Sequence, residues 1–259
     1  MVRKDPWVRE LRRSERPTAH VVLLPHAGGA ATFFASFARH FPEGFDVSAV
    51  QYPGRQERLG EPFVTTIEEL ADRLTPSCRR YAADTVPLVL FGHSMGAAVA
   101  FETALRLAAE GTTARCRLVV SGRSAPSVRR ESHVHRGTDR EILDHLAELG
   151  GTDTEVMREP ELMSMIMPAI RNDYRAIELY RPAANVVVDM PVMCLTGDRD
   201  RWVTHEGAAA WKDHTSADFR LRTFPGGHFY LTEHREAVAR LVAEWGGSVR
   251  DRPSPGADG

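Results

Sequence analysis

The stretch Val86-Pro-Leu-Val-Leu-Phe-Gly-His-Ser-Met-Gly96 constrains the chain more than any other. A short apolar run, Leu88 to Phe91, enters Gly92-His93-Ser94-Met95-Gly96, and Ala97 to Ala109 has the composition of a helix. A serine between two glycines at a strand-to-helix turn is the G-x-S-x-G pattern in the context its chemistry needs. The turn must be strained to hold the Ser94 hydroxyl clear of the backbone. Glycine at 92 and 96 removes the Cβ atoms that would collide where strand and helix cross behind it. The Met95 N–H, at the positive end of the new helix, is placed to donate to an oxyanion beside Ser94. The same five residues also suit an ordinary strand–helix turn with Ser94 as a bystander, so a base and an acid must be sought downstream.

The rest of the chain supplies the frame such a turn requires. Strands are expected at His20–Leu24, Phe45–Tyr52, Leu88–Phe91, Arg115–Ser121, Pro191–Thr196 and Phe219–Phe224, the last alternating like an edge strand. Helices are expected at Ala30–His40, with Phe33, Phe34 and Phe37 on the buried side, at Ile67–Tyr81 and at Glu233–Trp245. Thr66 and Glu69 read as a capping box, as do Thr138 and Glu141 ahead of a helix through Leu149. This alternation predicts an α/β fold of α/β-hydrolase type, with a mostly parallel central sheet and helices on both faces.

One interval breaks the rhythm. Between Ser121 and Val192 lie too many residues for a simple crossover, and Glu159 to Tyr180 is rich in Met, Ile and Leu. A helical lid over the carboxyl ends of the strands, about residues 124–187, is expected; its methionines suit an adaptable apolar surface, although for any one of them packing of the lid onto the body is the commoner case. The division is then an N-terminal arm at 1–17, one hydrolase domain at 18–245, and a Gly- and Pro-rich disordered tail at 246–259.

Composition narrows the class. The 259 residues are 42% apolar and 26% charged with net charge −2, so no global charge points to nucleic acid or an anionic membrane. Cys78, Cys116 and Cys194 lack the spacing of a disulfide framework or a thiolate metal site. Met1 to Arg16 has no apolar signal segment, and no apolar run spans a bilayer, so a cytoplasmic, monomeric protein without metal or cofactor is expected.

Base, acid and a second oxyanion donor follow at the positions a doubly wound hydrolase uses. His228 lies in Phe224-Pro-Gly-Gly-His-Phe between the last strand and last helix. Most of the 11 histidines, including His133, His135, His205, His214 and His234, are expected at solvated positions. Leu195-Thr-Gly-Asp198-Arg-Asp200 offers two carboxylates, of which Asp200 has come far enough round the turn to meet the imidazole. In the usual nucleophile, acid, base order, Asp200 would fix the tautomer of His228. The Ala27 N–H in Pro25-His-Ala-Gly-Gly29 is the expected second oxyanion donor.

At this point the sequence resembles a known family. Leu23-Leu-Pro-His-Ala-Gly-Gly29, Gln51-Tyr-Pro-Gly-Arg55 with Glu57-Arg58, Gly92–Gly96, Leu195–Asp200 and Gly226-Gly-His-Phe229 together are similar to type II thioesterases. These are stand-alone editing enzymes of polyketide and nonribosomal peptide synthases. The likeness runs from about residue 18 to 245. It implies hydrolysis of short or stalled acyl groups from the 4′-phosphopantetheine arm of acyl or peptidyl carrier proteins. It implies Ser94 as nucleophile, His228 as base then acid, Asp200 as orienting acid, and the Met95 and Ala27 N–H groups as oxyanion hole. Where the family usually has Phe or another residue before Ala-Gly-Gly, this chain has His26, expected to pack or bond within its loop.

Carrier proteins are typically acidic, so Arg123, Arg129, Arg130 and Arg136 are candidates for a basic rim near the lid entrance, although a solvated arginine cluster is the commoner explanation of such a group. Three other readings fit the same residues: a small-molecule esterase or lipase, an acyl transferase, and a catalytically silent hydrolase-fold receptor.

Overall fold

The computed structural model describes residues 5–128, 131–150, 159–183 and 185–247. Seven strands form one sheet: β1 Val8–Arg12, β2 Ala19–Leu24, β3 Phe45–Val50, β4 Leu88–His93, β5 Cys116–Ser121, β6 Val192–Gly197 and β7 Phe219–Phe224. Their order is β1-β3-β2-β4-β5-β6-β7, and every pairing is parallel except β1 with β3. β4, which leads to Ser94, therefore lies at the centre, and β7 forms an edge as its alternation predicts.

The central strands are buried on both faces, and their side chains divide with period two. Val22, Leu24, Leu88 and Leu90 join one apolar cluster, and Val21, Leu23, Val89 and Phe91 join the other. The first cluster is closed by Ile67, Leu70 and Leu74 of α2 (Ile67–Ala82) and by α3 (Met95–Ala109). The second is closed by Phe37 of the one-turn α1 (Ala35–Ala38) and by Val238 and Val242 of α7 (Arg235–Gly247). Between β5 and β6 run α4 (Asp139–Leu149) and α5 (Pro160–Leu179), with the short α6 (His205–Ala209) following β6.

Local sequence signals hold unevenly. Thr138 and Glu141 form the full reciprocal capping box of α4. At α2 only half of one forms: Thr66 accepts the Glu69 N–H, while the Glu69 carboxylate pairs with Arg73 at 2.5 Å. The helix expected over Ala30–His40 breaks into a 3₁₀ turn, Ala31–Phe34, and the single turn of α1. Phe34 and Phe37 are buried as expected, whereas Phe33 turns toward His26 and Phe229. The arm carries a strand that charge alone does not announce, because β1 completes its bonds against the edge of β3. The Gly- and Pro-rich tail beyond residue 247 lies outside the described residues.

Candidate active site

Ser94 sits at the exit of β4 with φ 55° and ψ −114°, a left-handed conformation rare for any residue with a side chain. The fold over-determines it. The Ser94 N–H donates to the Ser121 carbonyl of neighbouring β5 at 2.8 Å, and the Ser94 carbonyl accepts the Ala97 N–H at 3.0 Å. A Cβ on Gly92 would stand 2.1 Å from the Gly96 carbonyl oxygen, and one on Gly96 would stand 2.1 Å from that of Leu24. Both glycines are thus steric requirements of the crossing.

The loop after β7 returns His228 beside this turn. His228 Nδ1 meets Asp200 Oδ2 at 2.8 Å, and both residues are buried. The other Asp200 oxygen accepts the Trp202 N–H at 2.8 Å, so the carboxylate is held from both ends. Asp198 takes a different part. Its Oδ1 accepts the Gly226 N–H at 2.8 Å and braces the loop that carries His228. Between the two acids of the Gly-Asp-Arg-Asp turn, it is Asp200 that touches the imidazole.

Ser94, His228 and Ala27 line one chamber of about 560 Å³, walled by His145, Leu146 and Leu149 of α4 and by Tyr174, Ile177 and Glu178 of α5. Among the described residues no hydrogen bond joins the Ser94 hydroxyl to His228; such bonds often tighten only in the substrate complex. The Ala27 and Met95 N–H groups have no acceptor among the described residues. Met95 is the first residue of α3, so its N–H is one of the unsatisfied donors at a helix start.

Two histidines crowd His228 from the apolar side. His26 packs edge-on against Phe33 and Phe229, and makes no hydrogen bond through its buried Nδ1. His93 bonds the Ser121 hydroxyl at 2.9 Å, which in turn meets the Tyr230 hydroxyl at 2.7 Å. Burial, then the neighbouring His228 and Arg55, push the His26 imidazole down to about 3. Burial, then His228 and His26, hold His93 well below the usual imidazole range. Both stay neutral beside His228. His26 packs, as expected of it.

The Gln51-Tyr-Pro-Gly-Arg55 segment proves structural in a way its sequence did not announce. The buried Arg55 guanidinium pairs twice with Asp173 of α5, Nη1 to Oδ2 at 2.6 Å and Nη2 to Oδ1 at 3.0 Å. Burial alone would lower the Arg55 pKa, and the adjacent carboxylate outweighs it, holding it above its ordinary value. The same Asp173 Oδ2 accepts the Gly28 N–H at 2.8 Å, next to the Ala27 peptide. A signal existed: Asp173 falls on the same helical face as Ile166 and Ile170, where an unpaired carboxylate would be costly.

Several expectations about the surroundings need correction. Among the described residues no methionine lines the chamber: Met163 and Met167 pack the lid onto the core and Met165 is exposed, while Tyr174, Ile177 and Glu178 of α5 face the cavity. His214 is buried between the Val186 carbonyl and the Ser127 hydroxyl, and His135 pairs with Glu178, so neither is a solvated surface residue. Arg136 is exposed, and Arg123, half-buried, lines the chamber. Arg129 and Arg130 fall outside the described residues. No helix among the described residues is long and apolar enough to cross a membrane.

The sheet order, the strained serine turn at the end of its central strand and the His–Asp pair on the returning loops define an α/β-hydrolase. Comparison with known proteins narrows the class. A family model described as a thioesterase domain matches residues 19–245. The chain is 42% identical over 238 residues to the probable cadicidin biosynthesis thioesterase of Streptomyces griseus, covering 92% of this chain and 65% of that protein. It is 37% identical over 238 residues to thioesterase PikA5 of Streptomyces venezuelae, covering 92% of this chain and 84% of that one. The solved structure of BorB, a type II thioesterase from the borrelidin biosynthetic cluster, superposes with a TM-score of 0.85 at 44% identity, over 94% of this chain and 99% of that one. The chain belongs to the thioesterase-domain family.

Proposed function

We propose that this thioesterase hydrolyses acyl groups from the phosphopantetheine arm of acyl or peptidyl carrier proteins, as a stand-alone editing enzyme of a polyketide or nonribosomal peptide synthase. The observation that carries the reading is the His228–Asp200 pair, 2.8 Å apart, opening with Ser94 onto one chamber beneath α4 and α5. Relatives named for such pathways support the substrate class.

In this reading Asp200 holds His228 Nδ1, which leaves Nε2 for the Ser94 hydroxyl. His228 takes the hydroxyl proton as Ser94 Oγ bonds to the thioester carbonyl carbon. The oxyanion is met by the Ala27 and Met95 N–H groups. Collapse breaks the C–S bond, and the proton passes from His228 to the departing arm as its thiol. A water then gives a proton to His228 as its oxygen bonds to the acyl carbon, and collapse breaks the bond to Ser94 Oγ, which takes that proton back from His228 as the carboxylic acid leaves. No metal or cofactor enters these steps; the pantetheine belongs to the substrate. Cytoplasmic location and a monomeric state belong to the same reading, and size-exclusion chromatography checks the latter.

The test is mass spectrometry of one carrier protein loaded with different acyl groups, with Ser94→Ala as control. Wild-type protein is expected to unload at least some of them far faster than the variant. Equal rates for both proteins on every acyl group would refute the reading. A strong preference for simple oxygen esters would favour the esterase alternative.

A further inference from the structure

Three polar side chains behind the serine turn are more deeply buried than Ser94, Asp200 or His228: His93 and Ser121 are 0% exposed and Tyr230 1%. His93 ends β4 one residue before Ser94, and Ser121 ends β5 directly opposite it in the register of the two strands. Tyr230 opens a 3₁₀ turn two residues after His228, and its N–H donates to the Gly227 carbonyl at 3.2 Å, so that turn closes around His228. His93 Nδ1 meets the Ser121 hydroxyl at 2.9 Å, and that hydroxyl meets the Tyr230 hydroxyl at 2.7 Å. The Ser121 carbonyl also accepts the Ser94 N–H at 2.8 Å. An unbroken line of hydrogen bonds therefore runs from the nucleophile turn to the loop that carries the base.

Packing alone does not call for these groups. The Tyr230 ring stacks on Phe224 with centroids 5.3 Å and planes 14° apart, a contact that Phe would make as well. Phe at 230 and Ala at 121 would leave no hydroxyl to satisfy, whereas buried polar groups cost free energy unless every one is paired. Here the pairing is incomplete, since the buried His93 Nε2 has no hydrogen-bond partner among the described residues. Burial, opposed by the bond to Ser121, holds the Tyr230 phenol above its ordinary value, so it stays an O–H. What the line of bonds supplies is a distance. Asp200 fixes the rotation of the His228 ring through Nδ1, but it does not fix how far the ring stands from Ser94. The ring rests over the end of β5, where a Cβ on Gly122 would stand 3.3 Å from His228 Cε1, and beside His93, with centroids 5.2 Å apart.

We infer that His93, Ser121 and Tyr230 are positioning residues, a buried tether that sets the separation of the Ser94 hydroxyl from His228 and so the proton transfer between them. None of the three touches substrate; each acts through the backbone of a catalytic neighbour. The inference rests on the reading of Ser94 as nucleophile and His228 as base. Its two ends differ in kind. The His93 end lies within the strained turn, which neighbouring β5 already holds, whereas the Tyr230 end lies in the loop after the edge strand β7, where restraint has more to correct.

Hydrolysis of one acyl thioester of N-acetylcysteamine tests this, with wild type, Tyr230→Phe, Ser121→Ala and the double variant. Active sites are counted by fluorophosphonate labelling of Ser94, so a partly unfolded sample cannot pass for slow turnover. Tyr230→Phe keeps the stack on Phe224 and removes only the hydroxyl. It is expected to lower kcat about tenfold with KM within about twofold of wild type, since the geometry of attack and not binding is disturbed. Its melting temperature is expected to stay within about 5 °C of wild type. Ser121→Ala cuts both links and is expected to lower kcat by at least as much. The double variant should fall no further than Ser121→Ala, because a line already broken is not broken again. Four results overturn the tether: an unchanged kcat in Tyr230→Phe, a loss confined to KM, losses that multiply in the double variant, or a Tyr230→Phe protein that does not fold. A wild type no faster than Ser94→Ala would overturn the hydrolase reading itself, whereas active wild type with equally active Tyr230→Phe sinks the tether alone.

Discussion

Asp173 ties α5 to the loop that precedes α1: one of its oxygens is shared between the Arg55 guanidinium at 2.6 Å and the Gly28 N–H at 2.8 Å. The roof of the chamber and the peptide beside Ala27 are thereby held by one buried carboxylate. Removing the charge leaves Arg55 buried without compensation, which costs about 3 kcal/mol or more. Asp173→Asn is expected to show that loss in urea unfolding, and to lower kcat by about tenfold as the Ala27 N–H loses its fixed aim. Arg55→Met/Asp173→Leu should recover much of the stability but not the kcat. If the double variant is no more stable than the single, the pair is not a charge-compensating unit.

The backbone strain at Ser94 separates stability from activity. A residue with a Cβ held at φ 55° and ψ −114° carries on the order of 1 kcal/mol of conformational cost. Ser94→Gly is expected to raise the melting temperature while abolishing turnover, and Ser94→Ala to abolish turnover with little gain. Equal melting temperatures for the two variants would show that the turn is relaxed.

Neutral burial of His26 makes stability depend on pH. Its folded value, about 3, lies below the ordinary 6.5, so the unfolded chain binds more protons in between. The contribution is complete above pH 6.5 and is lost as pH falls toward about 3. The slope is at most about 1.4 kcal/mol per pH unit for each such group. His93 adds in the same direction. His26→Phe, a ring placed among Phe33 and Phe229, should flatten the stability profile across that window. An unchanged slope in urea titrations would mean that His26 is accessible to protons.

The crossing behind the serine turn tolerates no side chain. Gly96→Ala sets a methyl against the Leu24 carbonyl oxygen and is expected to cost about 3 kcal/mol, or to prevent folding. Gly227→Ala, beside His228, meets nothing within 4 Å and should fold normally. Comparable soluble yield and melting temperature for both variants would contradict the steric account.

How much of this was legible before the structure differs by residue. The order of Ser94, Asp200 and His228 is readable because each follows a strand of recognisable pattern, and chain order in a doubly wound sheet dictates which loops meet. The strand positions follow from short apolar runs between turn residues, since strands buried on both faces need them. β1 was not legible, because an edge strand needs only backbone partners and its side chains stay polar. The lid helices were legible as helices, but their rotation was not. Periodicity marks an apolar face without saying whether it meets the core or the chamber, so Met163 and Met167 went inward to the body and Tyr174 and Ile177 to the cavity.

By itself, then, the sequence determined the α/β class, the strained turn at Ser94 and the two loops that bring Asp200 and His228 together beside it. These are consequences of local geometry and of periods written along a single strand or helix. Only the tertiary structure decided that Asp198 braces the Gly226 N–H, that Arg55 is spent on Asp173, and that His214 is buried between the Val186 carbonyl and the Ser127 hydroxyl. Each of these depends on a side chain meeting an element distant in the chain. Spacing carries no record of which charge finds a partner once water is excluded, because that choice is made by the packing of whole elements against one another.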